Sequence, residues 1–335
     1  MAQAGRVRER GSALPIPARS LASAMQRSEL PRVLMCGLSK SGKTSIIKVV
    51  FDKLQPHETM FLDSTLRTEA VLANRNDLLK FRAVDCPSST SVEDPELNDL
   101  PKNCALVFVI DAQQEPYTEA LSLARQYMES TFAKQPDINI HFLIHKVDGD
   151  KFFSEEIRSE ILRDVRTKLS HELSDTQIGR EIKYHCTSIY DHTIFETFSK
   201  IVQGVIPRLS VVEECIDTLA LNSRMEKAFL FDMVTKMFIA EDSQRVFTQA
   251  YEICADMIDV VIDVCSIYGE NGETTNSSSV INLGDQYVLY HREVEKCLAL
   301  VCILRLDHFD RRHLLDYNIS VFQEVLRSIM VSPDL

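Results

Sequence analysis

The hydrophobic positions in the first two thirds of the chain fall into short runs separated by longer helical stretches. The short runs have the length and the Val/Ile/Leu content of buried strands, at residues 32–36, 105–111, 138–144 and 181–186. Two of the stretches between them have the length and composition of helices, at residues 115–131 and 155–173. Strands that alternate with helices in this way are typical of a doubly wound, mostly parallel α/β sheet. We predict such a domain over residues 31–207.

After Pro207 the hydrophobic pattern changes to that of a small α+β unit. Helical patterns lie at residues 211–221, 247–262 and 312–328. Strand patterns lie at residues 227–240, 279–292 and 297–304, the second of them a hairpin around Gly284-Asp285. Residues 269–279 are polar and predict a flexible connection. We predict a second domain over residues 208–332.

The second domain has no phosphate loop and no paired acid and base, so we expect no catalysis there. Asp256, Asp259 and Asp263 suggest a metal site at first sight. Their spacing of three and four residues among apolar neighbours is also that of one solvated helix face. We favour the solvated face.

The first thirty residues carry five arginines among Ala, Ser and Pro. A mitochondrial transit peptide has a similar composition. Pro15 and Pro17 interrupt any amphipathic helix, so we favour a disordered basic tail over residues 1–30.

Composition limits the class of protein. The chain has 335 residues, 45% hydrophobic and 26% charged, as in soluble globular proteins of more than one domain. Its longest wholly apolar stretch, Leu298 to Leu304, is too short to insert into a membrane. A formal net charge of −12 disfavours nucleic acid as a partner. Nine scattered cysteines without a CxxC pair indicate a reducing compartment.

The segment from Gly37 to Thr44 reads GLSKSGKT, a GxxxxGK[ST] phosphate loop between a predicted strand and a predicted helix. Gly37 and Gly42 leave the backbone free to approach phosphates, and the following helix start favours anions. Lys43 is expected to reach the β- and γ-phosphates, and Thr44 to bind Mg²⁺. The predicted phosphate contacts are Ser39, Lys40, Ser41, Gly42, Lys43, Thr44 and Ser45.

A second motif, His145-Lys-Val-Asp148, follows the strand at residues 138–144 and predicts recognition of guanine. The Asp148 carboxylate can accept hydrogen bonds from guanine N1–H and the exocyclic amine, a donor pair that adenine lacks. We expect the stem of Lys146 to lie along the base. His145 stands where GTPases have Asn. After the next strand, Ser188 and Ile189 lie at the place where G domains offer a backbone amide to guanine O6.

In order and spacing these motifs resemble the Rag GTPases of the C/D type, the Gtr family in fungi, over roughly residues 31–330. The matching stretches are residues 37–44, 58–65, 109–113, 144–149, 187–192, 226–232, 256–263 and 298–304. His in place of Asn at residue 145 is itself what that subfamily shows.

The resemblance implies a GTP/GDP- and Mg²⁺-binding G domain followed by a roadblock-type dimerisation domain. It implies a heterodimer with an A/B-type Rag GTPase, docked by a lysosomal scaffold complex and relaying amino-acid sufficiency to the TOR kinase complex. It also implies a GTPase-activating protein. The expected location is cytoplasmic, with recruitment to the lysosomal membrane through partners, and a nuclear pool is left open.

The resemblance also assigns the switch residues. Thr65 is the candidate for the switch I contact with Mg²⁺, with Thr59 and Ser64 beside it, although an ordinary loop hydroxyl is the alternative. In switch II, Asp85 is expected to hold Mg²⁺ through water. Ser88 replaces the family's Gly, and Ser89 stands where the family has Gln, so no catalytic residue is assigned.

Three functions remain open. The first is a slow GTPase subunit that depends on an activating protein. The second is a pseudo-GTPase that binds nucleotide without cycling, which the altered switch II favours. The third, an ATP-dependent P-loop kinase, is disfavoured because Asp148 fits guanine.

Overall fold

The computed structural model describes residues 30–74, 78–89, 94–175, 181–244, 249–268 and 277–331. Residues 1–29 of the predicted tail and residues 269–276 of the predicted polar connection lie outside this part of the chain. So do residues 247–248 of a predicted helix.

The first sheet contains six strands in the order β2-β3-β1-β4-β5-β6. The strands are β1 (Arg32–Cys36), β2 (Glu69–Asn74), β3 (Lys80–Asp85), β4 (Cys104–Asp111), β5 (Asn139–His145) and β6 (Ile182–Thr187). All neighbouring pairs are parallel except β2 and β3, which are antiparallel. The predicted mostly parallel α/β sheet is confirmed.

Helices cover both faces of this sheet. They are α1 (Lys43–Asp52), α2 (Pro95–Asn98), α3 (Thr118–Lys134), α4 (Glu155–Glu172) and α5 (Thr193–Gln203). Apolar side chains of α1 and α5 pack in the core on one face, and those of α3 and α4 pack in the core on the other. The carboxyl ends of the parallel strands therefore form the edge at which ligands bind in such sheets.

The second sheet contains five antiparallel strands in the order β8-β7-β11-β10-β9. The strands are β7 (Met225–Asp232), β8 (Phe238–Glu241), β9 (Ser278–Leu283), β10 (Tyr287–Glu295) and β11 (Leu298–Arg305). The helices are α6 (Leu209–Ser223), α7 (Ala250–Tyr268), α8 (Leu306–Phe309) and α9 (Arg312–Val331). Helices α6 and α9 pack on one face of the sheet, and α7 packs on the other.

The predicted hairpin is confirmed as β9 and β10, but the single strand pattern at residues 227–240 is wrong. It contains two strands, β7 and β8, with a turn between them. The Asp232 carboxylate accepts hydrogen bonds from the amide and the hydroxyl of Thr235, at 2.9 and 2.5 Å. Lys236 follows with φ 60°. A carboxylate that bonds the backbone locally stabilises a turn, and the apolar alternation hides it.

Helix α5 joins the two sheets. The Phe238 amide donates to Ser199 Oγ at 3.0 Å, and Gln203 Nε2 donates to the Phe238 carbonyl at 3.3 Å. One hydrophobic core runs from β1 past α5 to β7 and β11. Because residues before and after position 207 share this core, the domain boundary at residue 207 stays a prediction.

Among the residues that the structure describes, no helix combines the length and the apolar character needed to cross a bilayer.

Candidate functional site

The phosphate loop connects β1 to α1, and its two glycines are required by the geometry. Gly37 has φ +144°, and a Cβ there would lie 2.4 Å from the Val109 carbonyl oxygen. Gly42 has φ +107°, and a Cβ there would lie 2.5 Å from His145 Cδ2. Both distances are shorter than a real side chain tolerates, so any other residue would move the loop.

Lys43 is buried within this loop. Its Nζ donates to the carbonyls of Gly37 at 3.0 Å and Leu38 at 2.8 Å. Burial lowers the pKa of Lys43, and the Asp85 charge opposes that shift. The ammonium group is thus held at the loop by backbone oxygens, which places its charge where phosphates would lie.

Three predicted metal-site residues converge. Thr44 Oγ1 donates to Asp85 Oδ2 at 2.5 Å and lies 2.6 Å from Thr65 Oγ1, which is 3.1 Å from the same carboxylate oxygen. Asp85 Oδ1 is buried without a hydrogen-bond partner in the described part of the chain. Hydroxyl and carboxylate oxygens with one buried oxygen unpartnered fit a hard cation such as Mg²⁺.

The other two candidate switch I residues are placed differently. The hydroxyl of Thr59 donates to the Pro56 carbonyl at 2.7 Å, within the short 3₁₀ helix Pro56–Phe61. Thr59 and Ser64 both line the nucleotide cavity described below.

Switch II residue Ser88 also lines this cavity, together with Pro87. Ser88 is not among the residues with positive φ in the described ranges. The serine that replaces the family's glycine therefore fits this backbone without strain.

Asp148 and Ser188 meet at the predicted guanine end. Ser188 Oγ donates to Asp148 Oδ1 at 2.9 Å and accepts from the Tyr190 amide at 3.1 Å. The Ser188 amide donates to Thr193 Oγ1 at 2.9 Å, so this amide is used within the turn. Ile189 lines the cavity. The hydroxyl of Ser188 orients the carboxylate of Asp148.

His145 belongs to the phosphate loop as much as to the base site. Its ring is 1% exposed, packs against Gly42, and bonds Thr187 Oγ1 through Nδ1 at 3.0 Å. Burial, with Lys146 nearby, lowers the pKa of His145 to about 4, so the ring is neutral at pH 7. The ring of His145 therefore supports the phosphate loop through its contact with Gly42.

Lys146 ties the two motifs together. Its Nζ donates to the Lys40 carbonyl at 2.7 Å and to Asp111 Oδ2 at 2.6 Å. Lys40 and Lys146 both have positive φ, 63° and 68°, although neither is glycine. Strained backbone of this kind is found at binding sites, where surrounding contacts maintain it.

One cavity of about 690 Å³ contains most of the predicted residues. Its lining includes Ser39, Lys40, Gly42, Lys43, Thr44, Ser45, Thr59, Ser64, Thr65, Ser88, His145, Lys146, Asp148 and Ile189. Ser41, Asp85 and Ser188 are not part of this lining, and all three are buried, at 2%, 3% and 0% exposure.

The sequence analysis assigned no role to several other lining residues, namely Met60, Leu62, Asp63, Pro87, Gln113 and Tyr190. Gln113 follows β4 closely, and its Nε2 donates to the Lys146 carbonyl at 3.2 Å. Tyr190 comes directly after Ile189. The sequence could have indicated Gln113 and Tyr190 as site residues, because both follow the carboxyl ends of predicted strands, where ligands bind in such sheets.

The cavity joins phosphate recognition after β1 to base recognition after β5, which is the arrangement of a P-loop G protein. A family model described as the Gtr1/RagA G protein conserved region matches residues 32–258. The chain belongs to this family.

The relatives separate into two levels of similarity. Mouse Ras-related GTP-binding protein C is 42% identical over 312 residues, which cover 90% of this chain and 77% of that protein. GTP-binding protein gtr2 of Schizosaccharomyces pombe is 39% identical over 89% of this chain and 97% of that protein. Ras-related GTP-binding protein A of Dictyostelium discoideum is 24% identical over 64% of this chain and 71% of that protein. The chain resembles C/D-type members more than A-type ones.

Among solved structures, Myxococcus xanthus MglB aligns with 37% of this chain and 97% of its own, at a TM-score of 0.30 and 19% identity. A TM-score this low says nothing of the fold of this chain.

Proposed function

We propose that this protein is the guanine-nucleotide-binding subunit of a heterodimeric Rag-type GTPase, with slow GTP hydrolysis that depends on an activating protein. The observation that carries the proposal is Asp148, which lies in the same cavity as Lys43 and Thr44. Hydrogen bonds to a charged acceptor contribute about 1.5–3 kcal/mol, enough for Asp148 to decide which base binds.

Mg²⁺ would be held by Thr44 and Thr65, with Asp85 acting through water, and would neutralise charge on the β- and γ-phosphates. Lys43 adds a fixed positive charge at the same end. His145 and Lys146 hold the loop in shape through Gly42 and the Lys40 carbonyl.

Nucleotide specificity tests the site assignment. The purified chain should bind a fluorescent GDP analogue that GDP displaces and ADP does not. Lys43→Ala and Thr44→Asn should weaken loading at least about tenfold, because each removes a phosphate or metal contact. Lys48→Ala on the same helix, whose ammonium pairs with Asp52, is the matched control. Displacement by ADP, or unchanged affinity in both variants, would refute the assignment.

Hydrolysis needs an oriented water, and we assign no side chain to that task. Ser88 and Ser89 replace the Gly and Gln of the family's switch II, which favours slow turnover. The same replacement supports the alternative, a pseudo-GTPase that holds nucleotide as a structural partner and never cycles. The two functions differ only in turnover.

Pairing with an A/B-type subunit is supported by an exposed apolar stripe on α7. Its members are Ile253, Val260, Val264 and Ile267, which are 36–70% exposed. Spacings of seven, four and three residues put them on one helix face. Helix α7, which carries the stripe, and strand β9 both belong to the unit built on the second sheet. Among the described strands, β9 pairs only with β10, so its other edge is open. An open strand edge and an apolar helix face are features that a second roadblock-type domain could cover.

The physiological role that we propose rests on the resemblance to the Rag GTPases. We propose that the heterodimer docks on a lysosomal scaffold complex and relays amino-acid sufficiency to the TOR kinase complex. Because the chain is acidic, with net charge −12, recruitment to an anionic membrane would come from partners. This role depends on the pairing that the α7 stripe supports.

A further inference from the structure

A second cleft, of about 290 Å³, adjoins the phosphate loop and shares no lining residue with the nucleotide cavity. It lies between the loop, the end of β4 and the start of α3. The loop contributes Leu38 and Ser41. The cleft therefore lies beside the phosphate loop but outside the nucleotide cavity.

The charged side chains that line this cleft are all acidic: Asp111, Glu115 and Glu119. The negative charge of Asp111 is already compensated by an ion pair, because its Oδ2 accepts a hydrogen bond from Lys146 Nζ at 2.6 Å. Glu115 and Glu119 are exposed, and neither forms an ion pair within the described ranges. Their carboxylates give the mouth of the cleft a negative potential that attracts a cation.

Ser41 supplies an independent sign of a ligand. Its side chain lines the cleft at 2% exposure, and its Oγ is buried without a hydrogen-bond partner in the described part of the chain. A buried hydroxyl that forms no hydrogen bond costs free energy. Such a group therefore normally forms a hydrogen bond with a bound molecule or ion.

We propose that this cleft binds the guanidinium group of an arginine presented by a partner protein. The volume lies at the lower limit of small-molecule sites, which matches one side chain better than a nucleotide. A guanidinium group has five N–H donors in a planar fork, so it can bond the Ser41 hydroxyl and a carboxylate together. An ammonium group would meet the charge but lacks the planar fork.

The cleft is coupled to nucleotide binding through Leu38. The Leu38 carbonyl accepts from Lys43 Nζ at 2.8 Å, so a ligand that fixes Leu38 and Ser41 also fixes the phosphate-contacting lysine. The bound arginine slows nucleotide release. This consequence rests on the proposed function, whereas binding in the cleft does not.

The test uses the full chain and two matched probes, N-acetyl-L-arginine methylamide and its uncharged analogue N-acetyl-L-citrulline methylamide, at constant ionic strength. Saturation-transfer NMR detects binding of the probe itself. Release of fluorescent GDP then measures the coupling. We expect the arginine probe to bind and to slow GDP release by about fivefold, the low end of typical couplings, and the citrulline probe to do neither.

Variants locate the site. Glu115→Gln with Glu119→Gln should abolish binding of the arginine probe and leave release of GDP without probe unchanged, and Ser41→Ala should weaken probe binding. Glu160→Gln, at an exposed position on α4, should leave probe binding intact. Equal binding of both probes, or arginine binding that survives the double variant, overturns the proposal. Binding without slower release overturns the coupling. Failure of the protein to load GDP would instead refute the proposed function, since the NMR arm is read without it.

Discussion

His145 shows what single residues add to the motif. The sequence places it where GTPases have Asn, which suggests contact with the base, but the structure uses its ring to pack beneath Gly42 and to bond Thr187. Asp148, Lys43 and Thr44, in contrast, lie in the cavity that their motifs predict. Motif spacing therefore predicts most of the residues that line the cavity. It cannot predict that the His145 ring packs against Gly42, which lies 103 residues earlier in the chain.

Three buried histidines predict loss of stability in acid. Burial lowers the pKa of His141 to about 3 and the pKa values of His145 and His291 to about 4, from 6.5. Below pH 6.5 the unfolded chain binds protons that the folded protein does not bind until about pH 3–4. The stabilisation is therefore complete above pH 6.5 and is lost as the pH falls towards 4, by up to about 1.4 kcal/mol per histidine per pH unit.

His291 is the best single test of this pH dependence, because both its ring nitrogens are buried without partners in the described structure. Denaturant titrations at pH 7.5 and 5.5 should show a smaller difference in unfolding free energy for His291→Leu than for the unaltered protein. His313→Leu, at an exposed position on α9, serves as control. Equal pH dependence in all three proteins would contradict the argument.

At the scale of elements, apolar content decided what could be predicted. Strands β1, β4 and β5 are buried along almost their whole length, and their apolar runs predict them to within one residue. Strands β2 and β3 read Glu-Ala-Val-Leu-Ala-Asn and Lys-Phe-Arg-Ala-Val-Asp, and the hydrophobic pattern does not single them out. They lie at one end of the sheet, where one side of a strand can carry charge.

The α7 stripe gives a prediction about pairing. Val260→Asp with Val264→Asp puts two charges into the proposed interface, and burying an unpaired charge is costly, so we expect no heterodimer with an A/B-type subunit. Size-exclusion chromatography of the mixed subunits measures the pairing, and GDP binding should be unchanged. Val321→Asp with Val325→Asp on α9 makes the same change on the other face of the sheet, where both valines are also exposed. A retained heterodimer in the α7 variant would exclude this surface, and equal loss in the α9 variant would show a general defect.

At the scale of the whole molecule, helix α5 joins the two sheets. It begins five residues after Ser188, whose hydroxyl donates to the Asp148 carboxylate. The change of pattern at Pro207 indicates two units. It does not reveal that Ser199 and Gln203 bond the backbone of Phe238, because those contacts depend on how the sheets are packed. The contacts between α5 and the second sheet are thus visible only in the folded chain.

Single-turnover GTP hydrolysis tests the central claim most directly. The chain is paired with an A/B-type subunit whose own nucleotide site has been disabled, and the reaction is followed with and without a candidate GTPase-activating protein. The proposed function predicts slow turnover that the activating protein accelerates. Tight GTP binding with no turnover under either condition would contradict it and would show a pseudo-GTPase, the structural half of a dimer in which the partner alone cycles.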